Sequence, residues 1–214
     1  MSVIDKLATS LSRRDELPNK ELAQEIVGNK DAAAVKELVQ NLRNKNKGIQ
    51  GDRIKTLYEV AETEPTLVAI YVNDILALLH SSNNRMQWGA MTALSMITNE
   101  VPKDIYNALG ALGDVAEKGS VITKDHYVAI LVKLGKIKEY TDDVLVLLNE
   151  QILNSPVNQL PTYAENALPI IDEQHKALFI KTFTTRLADV ELETKRKRLE
   201  KALKKLHSGS IPNR

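Results

Sequence analysis

The sequence predicts an all-α chain, an α-solenoid of stacked two-helix units, and three observations predict it. Leu57, Leu94, Leu131 and Leu168 stand at equal intervals of 37 residues. Val60, Ile97, Leu134 and Ile171 repeat the same step, as do Ile54, Met91 and Val128, although the next position of that column is Glu165. Columns three positions apart share one face of a helix. A fixed period of this length means that each unit buries its apolar face only against its neighbours. The third observation is punctuation: Pro65 and Pro102 share the period, each near the start of a second helix, where a missing amide hydrogen costs nothing.

Taken in order, Ile4, Leu7, Ala8 and Leu11 have the spacing of an amphipathic N-terminal helix that covers the first unit. The first unit has an atypical leading helix, expected over 20–27 and ending at Gly28, where a left-handed residue fits. Atypical end units are normal, because an end repeat shows one face to water. Second helices carry columns of their own: Val35, Val72, Leu109, Val146 and Phe183, then Leu42, Leu79, Ala116, Leu153 and Val190. Five units follow from these. Polar joints separate them at 81–84, at Gly119 and Ser120 with Thr123 as a candidate N-cap, and at 154–156; Thr141 and Asp172 are candidate caps for later helices. Pro169, one residue after Leu168, should end or kink its helix. Leu192, Leu199, Leu203 and Leu206 predict a closing helix. The expectation is one repeat domain over 1–207, a right-handed superhelix of about five units with flanking helices, and a disordered tail over 208–214.

Composition narrows the function classes. Twenty-nine Lys and Arg against 28 Asp and Glu leave no global field to draw the chain to nucleic acid or an anionic membrane. The absence of cysteine excludes disulfides, thiolate metal sites and cysteine nucleophiles, and fits a reducing compartment, so a cytoplasmic location is expected. Nowhere do about 18 apolar residues run together, and the start lacks the pattern of a secretory signal, so no membrane insertion is expected.

Paired helices, this period, and the small and aliphatic residues of the stretch WGAMTALSMI at 88–97 make residues 50–190 resemble a HEAT or armadillo-type repeat array. The resemblance implies superhelical stacking with second helices lining a concave surface, and a bias toward scaffolding and protein binding. It transfers no catalytic residue.

No residue set predicts catalysis, a cofactor or a metal. His80, His126, His175 and His207 form no i, i+4 pair and none stands beside a second ligand at metal spacing. Asp142 and Asp143 after Thr141 suit a helix start, where carboxylates meet the helix dipole. Gly110 and Gly113 follow no strand and serve helix packing rather than a phosphate loop. Between the second-helix columns lie Lys36, Glu37, Arg43, Asn73, Asp74, His80, Asn107, Asp114, Glu117, Gln151, Asn154, Lys181 and Glu191. Both signs occur with several amides, which suits a protein or peptide better than a phosphate backbone. Candidate partner-binding residues are therefore Asn73, Asp74, Asn107, Asp114, Gln151 and Lys181. Trp88 joins them, because tryptophan is enriched at binding hot spots, although a half-buried place at a joint between units explains it as well.

The run KRKRLEKALKKL at 195–206 sets Lys195, Lys197, Arg198, Lys201 and Lys204 around Leu199, Leu203 and Leu206. It reads either as a closing helix with solvated cations or as an anion-binding site acting through counterion release. The expected function is a non-enzymatic scaffold or adaptor for a protein or peptide. The alternative is a nucleic-acid binder, or an enzyme resembling the HEAT-like DNA glycosylases of alkylated-base repair, using the basic C-terminal helix.

Overall fold

Helix α3 (Lys47–Thr63) has seven successive residues, Gly51 to Leu57, buried, so it has no solvent face along two turns. In the computed structural model, which describes residues 2–208, this arises because α1 (Leu17–Asn29), α2 (Ala32–Gln40), α4 (Pro65–Ala69) and α6 (Asn84–Ile97) all pack on it. Glycine permits the closest of these approaches: a Cβ on Gly89 would lie 2.8 Å from Ile54 Cγ1, and one on Gly51 would lie 2.6 Å from Arg85 Nε. The described residues form thirteen α-helices and three 3-10 turns, with no strand among them. They fall into two compact units, one ending at Tyr127 and one starting at Val128.

In the first unit α5 (Val72–Leu76), α7 (Pro102–Asn107), α8 (Leu109–Lys118) and the start of α9 (Val121–Leu134) complete the helices. Pro65 and Pro102 open α4 and α7 as expected. Each second helix is then interrupted, at Tyr71 and at Ala108, where the backbone turns to φ −105° and −95° with ψ near zero. These positions are themselves 37 residues apart, but α10 runs unbroken through the next one, Leu145.

The N-terminal segment departs from the sequence expectation. Only Val3–Lys6 form a 3-10 turn; Leu7 and Ala8 are buried, but Leu11 is exposed and Ser12 has φ 56°. The amide of Ala8 donates to Asn19 Oδ1 and that of Thr9 to Asp52 Oδ2, so side chains take the bonds a helix would need. Helix α1 runs through Gly28, and the left-handed residue is Lys30, whose amide reaches the carbonyls of Ile26 and Val27.

The second unit holds the end of α9, then α10 (Thr141–Leu153), α11 (Leu160–Ala167), α12 (Glu173–Leu187) and α13 (Glu193–His207). Helix α11 ends one residue before Leu168, and Pro169 sits in the 3-10 turn that follows. Asp172 caps α12 as expected. Thr141 and Thr123 do not cap; each hydroxyl instead donates to preceding carbonyls, of Gly135 and Ile137 and of Ser120 respectively. Helix α13 packs on α11 and α12 through Leu199, Ala202 and Leu206, while Leu203 is only half-buried and Leu192 is exposed. Beyond Ser208 the expected tail lies outside the described residues.

The first-helix columns are the core: Leu57, Leu94, Leu131, Leu168, Val60, Ile97, Leu134 and Ile171 are all buried. The second-helix columns hold except in α10, where Val146 and Leu153 are exposed and Leu145 and Ile152 are buried in their place. Position 139, where the period puts a third turn proline, is glutamate, and Thr141 ties back to the turn carbonyls instead. The turn from α9 runs over 135–140, and the buried positions of α10 come one residue earlier than the period puts them.

Candidate binding surface

Residues spaced by three and four on α8 place Ala111, Asp114, Val115 and Lys118 on one side of that helix. Opposite them stand Leu79 and His80 of the 3-10 turn Ala77–His80, and Gln87 of α6, whose Nε2 donates to the Leu79 carbonyl at 3.1 Å and fixes the turn. Together with Gly119 they enclose an open groove of about 320 Å³. Leu79, Ala111 and Val115 give it apolar lining, and its rim carries an imidazole, a carboxylate and an ammonium from the exposed His80, Asp114 and Lys118. Such a rim can hold a peptide by hydrogen bonds and charge.

Of the residues singled out from sequence, Asp114 and His80 meet in this groove. Asn73 and Asp74 are exposed on α5 and Asn107 on α7, but none of the three lines it. In the second unit Gln151 is half-buried on α10 and Lys181 is exposed on α12. Trp88 is half-buried on α6 with its ring 6.1 Å from that of Tyr58 in a tilted pair.

That pair borders a polar cluster which the sequence reading missed. Asp52, buried, accepts from Thr9 N at 2.7 Å and Asn19 Nδ2 at 3.0 Å, and Arg85 lies 3.8 Å from it. Glu16 joins Arg85 at 3.4 Å and Lys55 at 3.3 Å, and Lys55 also pairs with Glu59 and stands 4.6 Å above the Tyr58 ring. Burial pulls the Lys55 ammonium down, but hydrogen bonds to Glu59 and Tyr58 outweigh it and hold the group above the ordinary lysine value. It stays protonated and cannot act as a base. Burial also raises the Tyr58 phenol. The cluster is structural: it ties the N-terminal segment and α1 to α3 and α6. The polar letters at 52, 53 and 55 are the only trace of it in the sequence.

Three of the seven Lys and Arg of the basic helix are in ion pairs. Arg198 pairs with Glu165 at 2.6 Å and reaches Thr162, Lys197 pairs with Glu193, Arg196 with Glu200, and Lys195 donates to Asn158. Arg198 holds the Glu165 carboxyl below its ordinary value. Lys201 and Lys204 are exposed.

The fold also joins three groups that the sequence kept apart. Ligand atoms of Asp142, Asp172 and His175 lie within 4.8 Å of one another, so His175 does stand beside possible metal ligands. Asp172 Oδ1, however, accepts both the His175 amide at 2.9 Å and His175 Nδ1 at 2.7 Å as the cap of α12. Asp142 lies in the first turn of α10. Both carboxylates therefore face positive helix ends, which compensate them without a cation.

No family model matches the chain, and no curated protein matches it. Solved structures do. A crystal structure of an engineered protein from the Northeast Structural Genomics Consortium is 20% identical, with a TM-score of 0.66, over 98% of both chains. A second engineered protein from the same consortium is 17% identical with a TM-score of 0.63, over 98% of this chain and 100% of the other. At such identities the likeness is one of fold alone.

Proposed function

We propose that the chain is a non-enzymatic scaffold or adaptor, a single HEAT-like repeat domain over 1–207 in which right-handed stacking of hairpins forms a concave face that binds a protein or peptide. The groove bounded by Leu79, His80, Ala111 and Asp114 carries this reading, because it is open, mixed in polarity and built on second helices. The buried first-helix columns agree with it, since they leave the second helices as the free surface. The paired state of Arg196, Lys197 and Arg198 weighs against nucleic acid as the ligand.

The test is selection of peptides from an unbiased display library on the full chain, followed by titration against Ala111→Phe, which fills the groove. Selected peptides should bind at least about tenfold more weakly to the variant, the loss expected when one central anchor of about 1.4 kcal/mol is blocked. If nothing is selected, or the selected peptides ignore the substitution, the reading fails. Salt-sensitive RNA or DNA binding that disappears with Lys201→Gln and Lys204→Gln would replace it with the nucleic-acid alternative.

A further inference from the structure

The N-terminal 3-10 turn is held more lightly than the chain that follows it. Val3–Lys6 contribute no buried residue. Lys6 pairs with Glu25 at 2.6 Å, but the two side chains are 38% and 50% exposed, and such pairs add little. The turn is tied to α2 through Glu37, whose carboxylate accepts the Ser2 hydroxyl and, at 3.4 Å, the Val3 amide. From Leu7 onward the hold is firmer: Leu7 and Ala8 are buried, and Ala8 N and Thr9 N donate to Asn19 and Asp52.

Glu37 has a second claimant. Arg53 lies on α3, against which α2 packs, and is 1% exposed; its Nε and Nη1 have no hydrogen-bond partner among the described residues. The charge of Glu37 acts on this guanidinium against the effect of burial. One carboxylate thus faces two demands and meets the outer one. Glu37 is half-buried, so it exchanges water for the Ser2 and Val3 donors and the net gain is modest. A buried donor left without an acceptor, by contrast, bears its whole desolvation cost. The two arrangements are therefore close in free energy.

We propose that residues 2–6 form a displaceable strap: when Ser2 and Val3 leave Glu37, its carboxylate turns inward to Arg53, and the new pairing compensates for the bonds lost. The opening stops at Leu7, because Leu7 and Ala8 stay buried and the amides of Ala8 and Thr9 stay bonded. The strap is bistable because the carboxylate that holds it is the one that satisfies Arg53 when it is gone. A partner that takes the released N-terminus needs to supply only the small difference between the two states.

The test is a mutant cycle on the full chain that removes the strap's donors and keeps its turn. Ser2→Ala deletes the hydroxyl, and Val3→Pro deletes the amide at the first position of the turn, where proline is tolerated. Ser2, at φ −66° and ψ 138°, already has the backbone that precedes proline. The bond from Ile4 N to Ser2 Oγ is lost as well, but it cancels because both arms of the cycle lack it. Urea unfolding read by Trp88 gives the folding constant of each chain. In the native chain Arg53→Met should raise that constant. With Ser2→Ala and Val3→Pro in place the same substitution should raise it at least about tenfold less, because Arg53 then has Glu37 as its acceptor. Adding Glu37→Ala to every chain should shrink the difference to within about twofold. Equal gains in the two backgrounds, or a difference that survives Glu37→Ala, overturn the proposal. Arg53→Leu runs the same cycle with another side-chain shape, which separates poor packing of methionine from loss of pairing. A loss in the native chain with both Arg53→Met and Arg53→Leu also overturns it, since the guanidinium would then be satisfied while the strap is docked.

Discussion

Arg53 and Arg186 are both buried, and replacing each with methionine should move stability in opposite directions. Arg53 on α3 is 1% exposed, and its Nε and Nη1 have no hydrogen-bond partner. Burial lowers the guanidinium from its ordinary value, and the nearby charge of Glu37 opposes that only in part. Glu37 itself is held by Ser2 Oγ and Val3 N. An unsatisfied buried polar group costs about 1–3 kcal/mol. A long apolar side chain of similar length loses less than about 1.5 kcal/mol through imperfect packing. Arg53→Met should therefore stabilise the first unit by roughly 1–2 kcal/mol, in line with apolar replacements of uncompensated buried charges. Arg186 is the opposite case: its guanidinium donates to Ile152 O at 3.1 Å, Leu153 O and Ser155 O at 2.9 Å, closing the end of α10, and Nε meets Asp189 at 2.6 Å. Arg186→Met strips those carbonyls of their donor and should cost about 3–5 kcal/mol. Urea unfolding followed by Trp88 emission reads the first unit, because Trp88 is the only tryptophan, and helical circular dichroism reads the chain. A loss above about 1 kcal/mol in Arg53→Met would refute the reasoning, since it would mean that ordered water or a rearranged Glu37 satisfies the guanidinium.

Asp52→Ala should cost about 2–4 kcal/mol by orphaning Thr9 N and Asn19 Nδ2; urea unfolding read by Trp88 that shows a change under half a kcal/mol would mean the N-terminal segment is not docked there. In α10, Leu145→Ala and Ile152→Ala should each cost about 2–5 kcal/mol, whereas Val146→Ser and Leu153→Ser should stay within about half a kcal/mol; comparable losses in both pairs by thermal unfolding would restore the unbroken 37-residue register. Glu165, its carboxyl lowered by Arg198, contributes stability that is present above the unfolded carboxylate value and is lost as pH falls through the folded one. Both partners are well exposed, so the amount is under about 1 kcal/mol. Wild type should exceed Arg198→Gln slightly at pH 6 and match it near pH 3, and a gap that widens in acid would exclude the pairing.

The fold was legible where the chain repeats its environment. First-helix residues meet a neighbouring helix in every unit, so Leu57, Leu94 and Leu131 face the same demand and show the same letter. Counting by 37 assumes equal turns, and it failed in α10, which starts only at Thr141 after a turn over 135–140. The i, i+3, i+4, i+7 pattern at Ile4 to Leu11 failed for a different reason. Periodicity counts apolar side chains and is blind to where the amides go, and here Asn19 and Asp52 take those of Ala8 and Thr9. The candidate surface was legible only as composition. Asp114 and His80 are 34 residues apart in sequence, and nothing local in either says that Gln87 will hold the 3-10 turn facing α8. The groups of the Asp52 cluster, drawn from positions between 9 and 85, are hidden in the same way.

One structural fact connects these failures to function. With Gly51 through Leu57 enclosed, α3 has no side left for a ligand along these two turns, and polar residues placed there serve the fold. Asp52, Lys55 and Thr56 do so through bonds to the chain itself. The second helices are under the opposite condition. Those that follow α3 and α6 are short and broken at Tyr71 and Ala108, and side chains such as Asp74, Asn107 and Asp114 are exposed there and free of packing constraints. Changing them costs little stability, which is the physical condition for a surface whose chemistry is set by a partner rather than by the core. The unpaired carboxylates on these helices are therefore open to binding in a way that the equally polar cluster on α3 is not.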